Sequence, residues 1–201
     1  MSKPHLAFYV PPPFGTMQAA SPPPSSDKTQ WRKWFRQRLP EASSLETQAA
    51  EIRKKLETRL QPLPACAIAS FAALPGEPNL LPLLQTLRQH HWYFPKVSGL
   101  QLHFHEVHSL DDFVPGAYGI LEPATHTPFI ETAQLDVLLC PGLGFGRDGS
   151  RLGRGKGFYD RVLTDRPLQA RAIGIAFREQ IVESVPTDPH DQSLDELISP
   201  G

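Results

Sequence analysis

Glycines at 153, 155 and 157 alternate with Arg154 and Lys156, and Arg151 stands just before them, in a stretch reading GSRLGRGKGFYDR over residues 149–161. Alternating glycine removes Cβ obstruction and permits positive φ, so successive backbone N–H groups can turn towards one concave face. Cationic side chains set between such amides make a cradle for phosphate, because charge-assisted N–H···O⁻ bonds are the strong ones. Apolar residues at 158, 159, 162 and 163 follow at helical spacing, and a helix opening there adds its N-terminal dipole to an anion site. The bland alternative is a solvated glycine turn with surface charges. A loop this dense in Gly, Arg and Lys at a strand-to-helix junction favours the anion site.

The elements that would position this loop are legible on its amino-terminal side. Residues 135–140, LDVLLC, form a short and mostly apolar run, as expected of a buried strand in a parallel sheet. Pro141 and Gly142 end it, which puts the loop at the strand's carboxyl end, where open α/β sheets bind ligands. A Walker A motif does not fit, because Gly157 follows Lys156 and Ser150 stands where the first glycine belongs. Residues 144–149 match G-x-G-x-x-G, so a dinucleotide-dependent oxidoreductase using Gly144 to Gly149 is the alternative enzyme class. No apolar helical run follows Gly149 directly, which weakens that alternative.

The run PGLGFGRDGSRLGRGKGFYDR resembles the signature of the 5-formyltetrahydrofolate cyclo-ligase family, also called methenyltetrahydrofolate synthetases. Lys28 through Trp31 and Arg32 resembles the family's Lys-x-x-Leu-Arg element. Residues 118–123 resemble its Gly-Ile-x-Glu-Pro element, and Val185-Pro186 through His190-Asp191 its late Val-Pro…Asp element. These fall in the family's order from about residue 27 to the end. Three departures stand out: Gly146 where the family often has Asp, Trp31 for the usual Leu, and a proline-rich extension before Lys28.

Composition is compatible with this resemblance. A chain of 201 residues, 40% hydrophobic and 20% charged, is long enough for one domain with a real core. A net charge of −1 argues against a broad grip on nucleic acid, so the basic loop is a local site. RNA or an acidic partner would be the non-enzymatic use of such a loop, and it calls for more positive charge. Cys66 and Cys140 lie in apolar runs and read as buried thiols.

Residues 1–26 contain two proline triplets among Ser, Ala and Gln, the composition of a disordered tail, and they lack the features of a secretory signal or transit peptide. No stretch approaches a membrane span. Residues 28–39 read as a basic amphipathic helix stopped by Pro40. Ser43 to Glu46 reads as a capping box opening a helix whose apolar stripe is Leu45, Ala49, Ile52, Leu56 and Leu60, with Glu51 and Lys55 on its solvated face.

A buried strand is expected over residues 65–74, a helix over 80–91 and a strand over 92–97. Residues 100–107 alternate as a half-wet strand, on which His103 and His105, with His108 beyond, read as exposed histidines rather than metal ligands. Tyr118, Glu122 and Pro123 are expected in a loop walling a substrate pocket, with pairing to the arginine cluster as an alternative for Glu122. Residues 170–177 complete another strand.

Strands alternating with helices make the expected fold α/β, with a mainly parallel central sheet and helices on both faces. The resemblance implies the three-layer arrangement of CoA-transferase and ribose-phosphate-isomerase-like proteins, with residues 27–201 as one catalytic domain. It implies ATP-dependent cyclisation of 5-formyltetrahydrofolate in a cytoplasmic monomer that needs neither nucleic acid nor membrane. ATP contacts would come from Lys28, Arg32, Arg151, Leu152, Gly153, Arg154, Gly155, Lys156, Gly157, Phe158 and Tyr159, with Arg154 and Lys156 neutralising the transferred phosphoryl group. Glu77 matches a glutamate that binds the pterin. Asp160 and Asp191 are the Mg²⁺ candidates, with Asp188 a near alternative to Asp191, since Mg²⁺ takes one or two carboxylates plus substrate phosphates.

Overall fold

The computed structural model describes residues 21–116, 120–124 and 126–201. The chain runs through α1 (Lys28–Arg36), α2 (Ala42–Leu60), β1 (Ala67–Ala69), α3 (Leu83–Thr86), β2 (His91–Ser98), β3 (Gln101–Glu106), β4 (Phe113–Pro115), β5 (Leu121–Pro123) and β6 (Phe129–Ile130). It continues through β7 (Val137–Cys140), β8 (Gly144–Gly146), β9 (Arg151–Leu152), α4 (Phe158–Asp165), β10 (Arg171–Ile175), β11 (Ile181–Val182) and β12 (Glu196–Ile198).

The all-apolar run of β7 is buried at every residue and takes a central place in a seven-stranded sheet of order β12-β10-β7-β1-β2-β3-β6. Pairings from β12 across to β2 are parallel, whereas β3 and β6 add antiparallel strands. The sheet is therefore mixed. Alternation along β7 divides the core: Val137 and Leu139 pack with Ile52, Leu56 and Leu60 of α2 and Leu83 of α3, while Leu138 and Cys140 pack with Val162 and Leu163 of α4. The α2 stripe appears as read, with Ala49, Ile52, Leu56 and Leu60 buried.

Several local expectations give way to tertiary demands. The helix expected over residues 80–91 shrinks to α3, because the Leu87 carbonyl is turned to accept His90 N–H and Trp92 Nε1–H as the chain enters β2. The strand expected over 65–74 closes at Ala69, since the loop beyond must fold Leu74 N–H onto Glu77 at 3.0 Å. No capping box opens α2: Glu41 is the N-cap, and Ser44, inside the first turn, donates its hydroxyl to the Glu41 carbonyl at 3.0 Å. The solvated face of α2 is also engaged, with Lys55 on the Ser199 carbonyl and Glu51 on Arg178.

Helix α1 ends at Arg36, short of Leu39, and opens on Asp27, whose side chain accepts Thr29 N–H at 2.8 Å. Residues 1–20 of the proline-rich tail lie outside the described residues. Just before α1, the Ser25 carbonyl accepts Trp31 Nε1–H at 2.6 Å.

Candidate functional site

The strands β1, β7 and β10 run parallel, so the segments leaving them emerge on one edge of the sheet. From β1 the chain turns through α3 to β2 on one side. From β7 it turns through α4 to β10 on the other. The β1/β7 boundary is thus the topological switch point, where such sheets open a crevice for ligands.

Beyond β7, residues 144–149 do not form a phosphate turn. Gly144–Gly146 is strand β8, and it pairs antiparallel with β9 and parallel with β11. Bulk dictates the glycines there. A Cβ on Gly144 would enter the Phe35 ring, and one on Gly146 would strike Asp148 and Ser150. No helix begins at Gly149, so the dinucleotide arrangement is overturned. Instead the hairpin leads into the open loop 153–157, in which Gly155 and Gly157 hold φ of 104° and 68°. Gly157 is the N-cap of α4, in the left-handed conformation closed to most side chains.

Helix α1 is docked against this hairpin by Trp31 and Phe35, which pack on Leu143, Leu152 and Val185. Spacing of four puts Lys28 and Arg32 on one face of α1. Arg32 Nε donates to the Gly153 carbonyl at 3.0 Å, and its guanidinium lies beside Gly155. Lys28 Nζ pairs with Asp188 at 2.6 Å and Asp191 at 2.5 Å. Burial opposes the Lys28 charge, but the two aspartates prevail and raise its pKa; in return the Lys28 hydrogen bond helps hold Asp191 below the usual carboxylate range despite burial.

Arg154 Nε bonds Glu77 Oε1 at 2.9 Å, and its Nη2 reaches the Pro75 carbonyl at 3.2 Å, bridging the β1/β7 crevice. The Glu77 side chain is 4% exposed, and burial pushes its carboxyl up against the pull of Arg154. Arg151 lies deeper. It is ion-paired to Asp160, donates to the Pro141 carbonyl at 3.2 Å and sits 5.7 Å from the Tyr159 ring centre, so its side chain fastens α4 to the end of β7. The Tyr159 hydroxyl is buried without a hydrogen-bond partner among the described residues, and burial holds it protonated far into the alkaline range. Leu152 is core, and its carbonyl accepts Leu143 N–H at 2.9 Å within the hairpin. Lys156 is exposed, and Phe158 lies under Arg161 at 5.3 Å.

The acidic candidates are handled unevenly. Asp188, His190 and Asp191 bring their ligand atoms within 4.8 Å of one another, an oxygen-rich set that fits Mg²⁺ once Lys28 yields. Asp160 stands apart, on Arg151. Glu122 is in strand β5 rather than a loop, its side chain packed over Gly116, and it makes no ion pair with the arginine cluster among the described residues. Tyr118 lies outside the described residues. His103 stacks on Phe129, and His105 Nδ1 bonds the Thr127 carbonyl at 2.8 Å.

Gln180 escaped the sequence reading. It is 1% exposed, its Nε2 reaches the Gly142 carbonyl at 3.0 Å, and its Oε1 accepts Phe177 N–H, so it ties together the loops after β7 and β10. No pattern marks it, because a single polar residue reveals its burial only in three dimensions. A cavity of about 530 Å³, lined by Leu84, Arg88, Trp92, Val107 and Leu110, lies beside the amino-terminal end of β2. It contains none of the motif residues, so volume alone does not locate the site.

The sequence model of the 5-formyltetrahydrofolate cyclo-ligase family matches residues 24–200. The chain is 30% identical to the Escherichia coli (strain K12) 5-formyltetrahydrofolate cyclo-ligase, over 77% of this chain and 91% of that one. It is 40% identical to the Mus musculus cyclo-ligase over 42% of this chain and 41% of that protein. The matches to the mouse, Mycolicibacterium smegmatis and Caenorhabditis elegans proteins span 41, 45 and 49% of those proteins. Among solved structures, the Aquifex aeolicus 5,10-methenyltetrahydrofolate synthetase superposes with a TM-score of 0.75 at 28% identity, over 85% of this chain and 88% of that one. The Mycoplasma pneumoniae synthetase gives 0.71 at 27%, over 87% and 99%. With the family model covering all the described elements from α1 to β12, and with an α/β fold shared at this level, the chain belongs to the 5-formyltetrahydrofolate cyclo-ligase family.

Proposed function

We propose that the chain converts 5-formyltetrahydrofolate to 5,10-methenyltetrahydrofolate at the expense of ATP, releasing ADP and phosphate. An amide oxygen is a very poor leaving group, which gives the reaction its need for ATP. Attack of the formyl oxygen on the γ-phosphoryl group yields ADP and an imino-phosphate. The bridge nitrogen of the folate then adds to the activated carbon, phosphate departs, and the methenyl ring is closed. Phosphoryl transfer asks the protein mainly for positioning and charge neutralisation.

Arg154 and Lys156 neutralise the moving phosphoryl group, while Lys28, Arg32 and the amides of residues 153–157 hold the triphosphate. Leu152, Phe158 and Tyr159 border the nucleotide, and Arg151 braces the wall behind it. Glu77 accepts N–H groups of the pterin, with Tyr118 and Glu122 towards the folate. Asp191, with Asp188 beside it and Asp160 as the second candidate, would hold Mg²⁺, which supplies further neutralisation of phosphate charge when bound. The finer architecture proposed is the three-layer, CoA-transferase-like one, with residues 27–201 as one catalytic domain acting as a cytoplasmic monomer on small molecules. Among the described residues no helix is long and apolar enough to cross a membrane.

The observation that carries this proposal is the charge arrangement around the open glycine loop at the switch point: Arg32 bonds the Gly153 carbonyl, Arg154 of the loop bonds the buried carboxylate of Glu77, and Lys28 stands on the same face of α1 as Arg32. The test is a spectroscopic assay for methenyl product, using purified protein, reduced formylfolate, Mg²⁺ and ATP. Product is expected with ATP and absent without it; no product in the complete mixture overturns the proposal.

A further inference from the structure

The Arg154–Glu77 pair joins a group assigned to ATP with a group assigned to folate, and its two halves differ in freedom. Glu77 is held by its own turn: Oε2 accepts Leu74 N–H at 3.0 Å, Glu77 N–H returns to the Leu74 carbonyl at 2.9 Å, and Gly76 between them sits at φ 84°. Its side chain is 4% exposed, whereas that of Arg154 is 35% exposed and rides on a loop with Gly155 at φ 104°. When the pair separates, Arg154 is the half that moves. What remains is a buried carboxylate with a single N–H donor, a costly state unless a new donor arrives.

We infer that this ion pair is an exchange contact that couples the two substrates: the triphosphate draws Arg154 off Glu77, and the exposed carboxylate becomes the acceptor for the N–H edge of the pterin. The inference rests on the proposed function and deepens it. Each substrate relieves a cost imposed by the other, since the phosphates replace Glu77 as partner of Arg154 and the pterin replaces Arg154 as partner of Glu77. Coupling between binding sites is reciprocal, so nucleotide tightens folate by the factor with which folate tightens nucleotide. The same pair also restrains the loop before either substrate arrives. Glu77 therefore acts against nucleotide binding, although it faces the folate.

The sign of one substitution separates this device from a purely positioning role. In Glu77→Gln the amide oxygen can still accept Leu74 N–H, but Arg154 loses its ion pair and keeps only the Pro75 carbonyl. The exchange predicts that Mg²⁺ with a non-hydrolysable ATP analogue binds this variant several-fold tighter than the parent, on the order of the coupling factors typical of linked sites. If Glu77 merely orients Arg154, the analogue binds more weakly.

The experiment is isothermal calorimetry of the analogue with and without saturating 5-formyltetrahydrofolate, on the parent, Glu77→Gln and Arg154→Ala, with each fold checked by circular dichroism. Expected are a gain of about fivefold or more in analogue affinity on adding folate to the parent, tighter analogue binding by Glu77→Gln, and loss of the coupling in that variant. Independent binding of the two ligands to the parent overturns the exchange without need of any variant, as does weaker or unchanged analogue binding by a folded Glu77→Gln. Arg154→Ala distinguishes the failures. If it leaves analogue affinity unchanged, the phosphate role of Arg154 falls and the exchange with it; if it weakens the analogue while Glu77→Gln fails to tighten it, only the exchange falls.

Discussion

Residues 144–149 and 153–157 are near neighbours in the chain and similarly rich in glycine, yet the structure uses them for opposite ends. In the first run the two strand glycines are needed for want of space, Gly144 against the Phe35 ring and Gly146 against Asp148 and Ser150, and only Gly149, at φ 86°, turns the chain. In the second, glycine is needed for backbone conformation, with Gly155 and Gly157 at positive φ and only the flexible guanidiniums of Arg32 and Arg161 nearby. One run is a packed hairpin that positions, the other an open loop that can bind. Glycine spacing alone does not separate them; what lies within reach of the missing Cβ does.

This contrast is open to direct attack. The largest effect is expected from Lys156→Ala or Arg154→Ala in the open loop. Turnover falls by about a hundredfold or more, while the thermal midpoint of Lys156→Ala stays within about 2 °C of the parent and that of Arg154→Ala falls further, because Glu77 is left buried without its ion-pair partner. Normal turnover in both would remove the phosphate role from the loop. Gly144→Ala should behave in the reverse sense, costing about 1–3 kcal/mol of stability through overpacking. Urea unfolding measures that loss, and the folded fraction should keep its turnover. A Gly144→Ala protein as stable as the parent would show that the hairpin has slack.

Gly155→Ala lies between these. Strain at its positive φ costs about 1–2 kcal/mol, and the distorted loop raises the KM for ATP, which steady-state kinetics reads.

A smaller effect concerns the brace beside the loop. Asp191 titrates below its ordinary range, so its contribution to stability is present above the unfolded carboxylate pKa, near 4, and is lost as pH falls through the folded one. Lys28→Met should therefore flatten the decline of urea midpoints as pH falls below about 4, the unfolded carboxylate pKa. An unaltered acid limb would mean that Lys28 does not hold Asp191 down. Least of all is expected from removing residues 1–20, which should change neither turnover nor stability. Removing residues 1–27 also takes away the Ser25 acceptor of Trp31 and the Asp27 cap of α1, at a cost of about 1 kcal/mol. A large loss of activity from the shorter deletion would give the proline-rich segment a role of its own.

Legibility differed by element for physical reasons. The continuous apolar run of β7, the stripe of α2 and the start of α4 after Gly157 were readable because burial on two faces, helical periodicity and glycine termination are local properties. The helix over 80–91 failed because Leu87 O is claimed by His90 N–H and Trp92 Nε1–H, while His91 N–H, its helical partner, bonds the distant Cys66 carbonyl. Glu122 was misplaced because a three-residue strand is defined by its partner β4 rather than by its own sequence.

By itself the amino-acid order determined the family, the cationic glycine loop and the helix behind it, since each depends on residue types at short spacing. Only the tertiary structure decided which charges meet: Lys28 with Asp191 across 163 positions, Arg154 with Glu77 across 77, and Gln180 with the loop at Gly142. Those meetings depend on strand order and on which loops share the carboxyl edge of the sheet, and neither is encoded in the local preferences of the residues that meet.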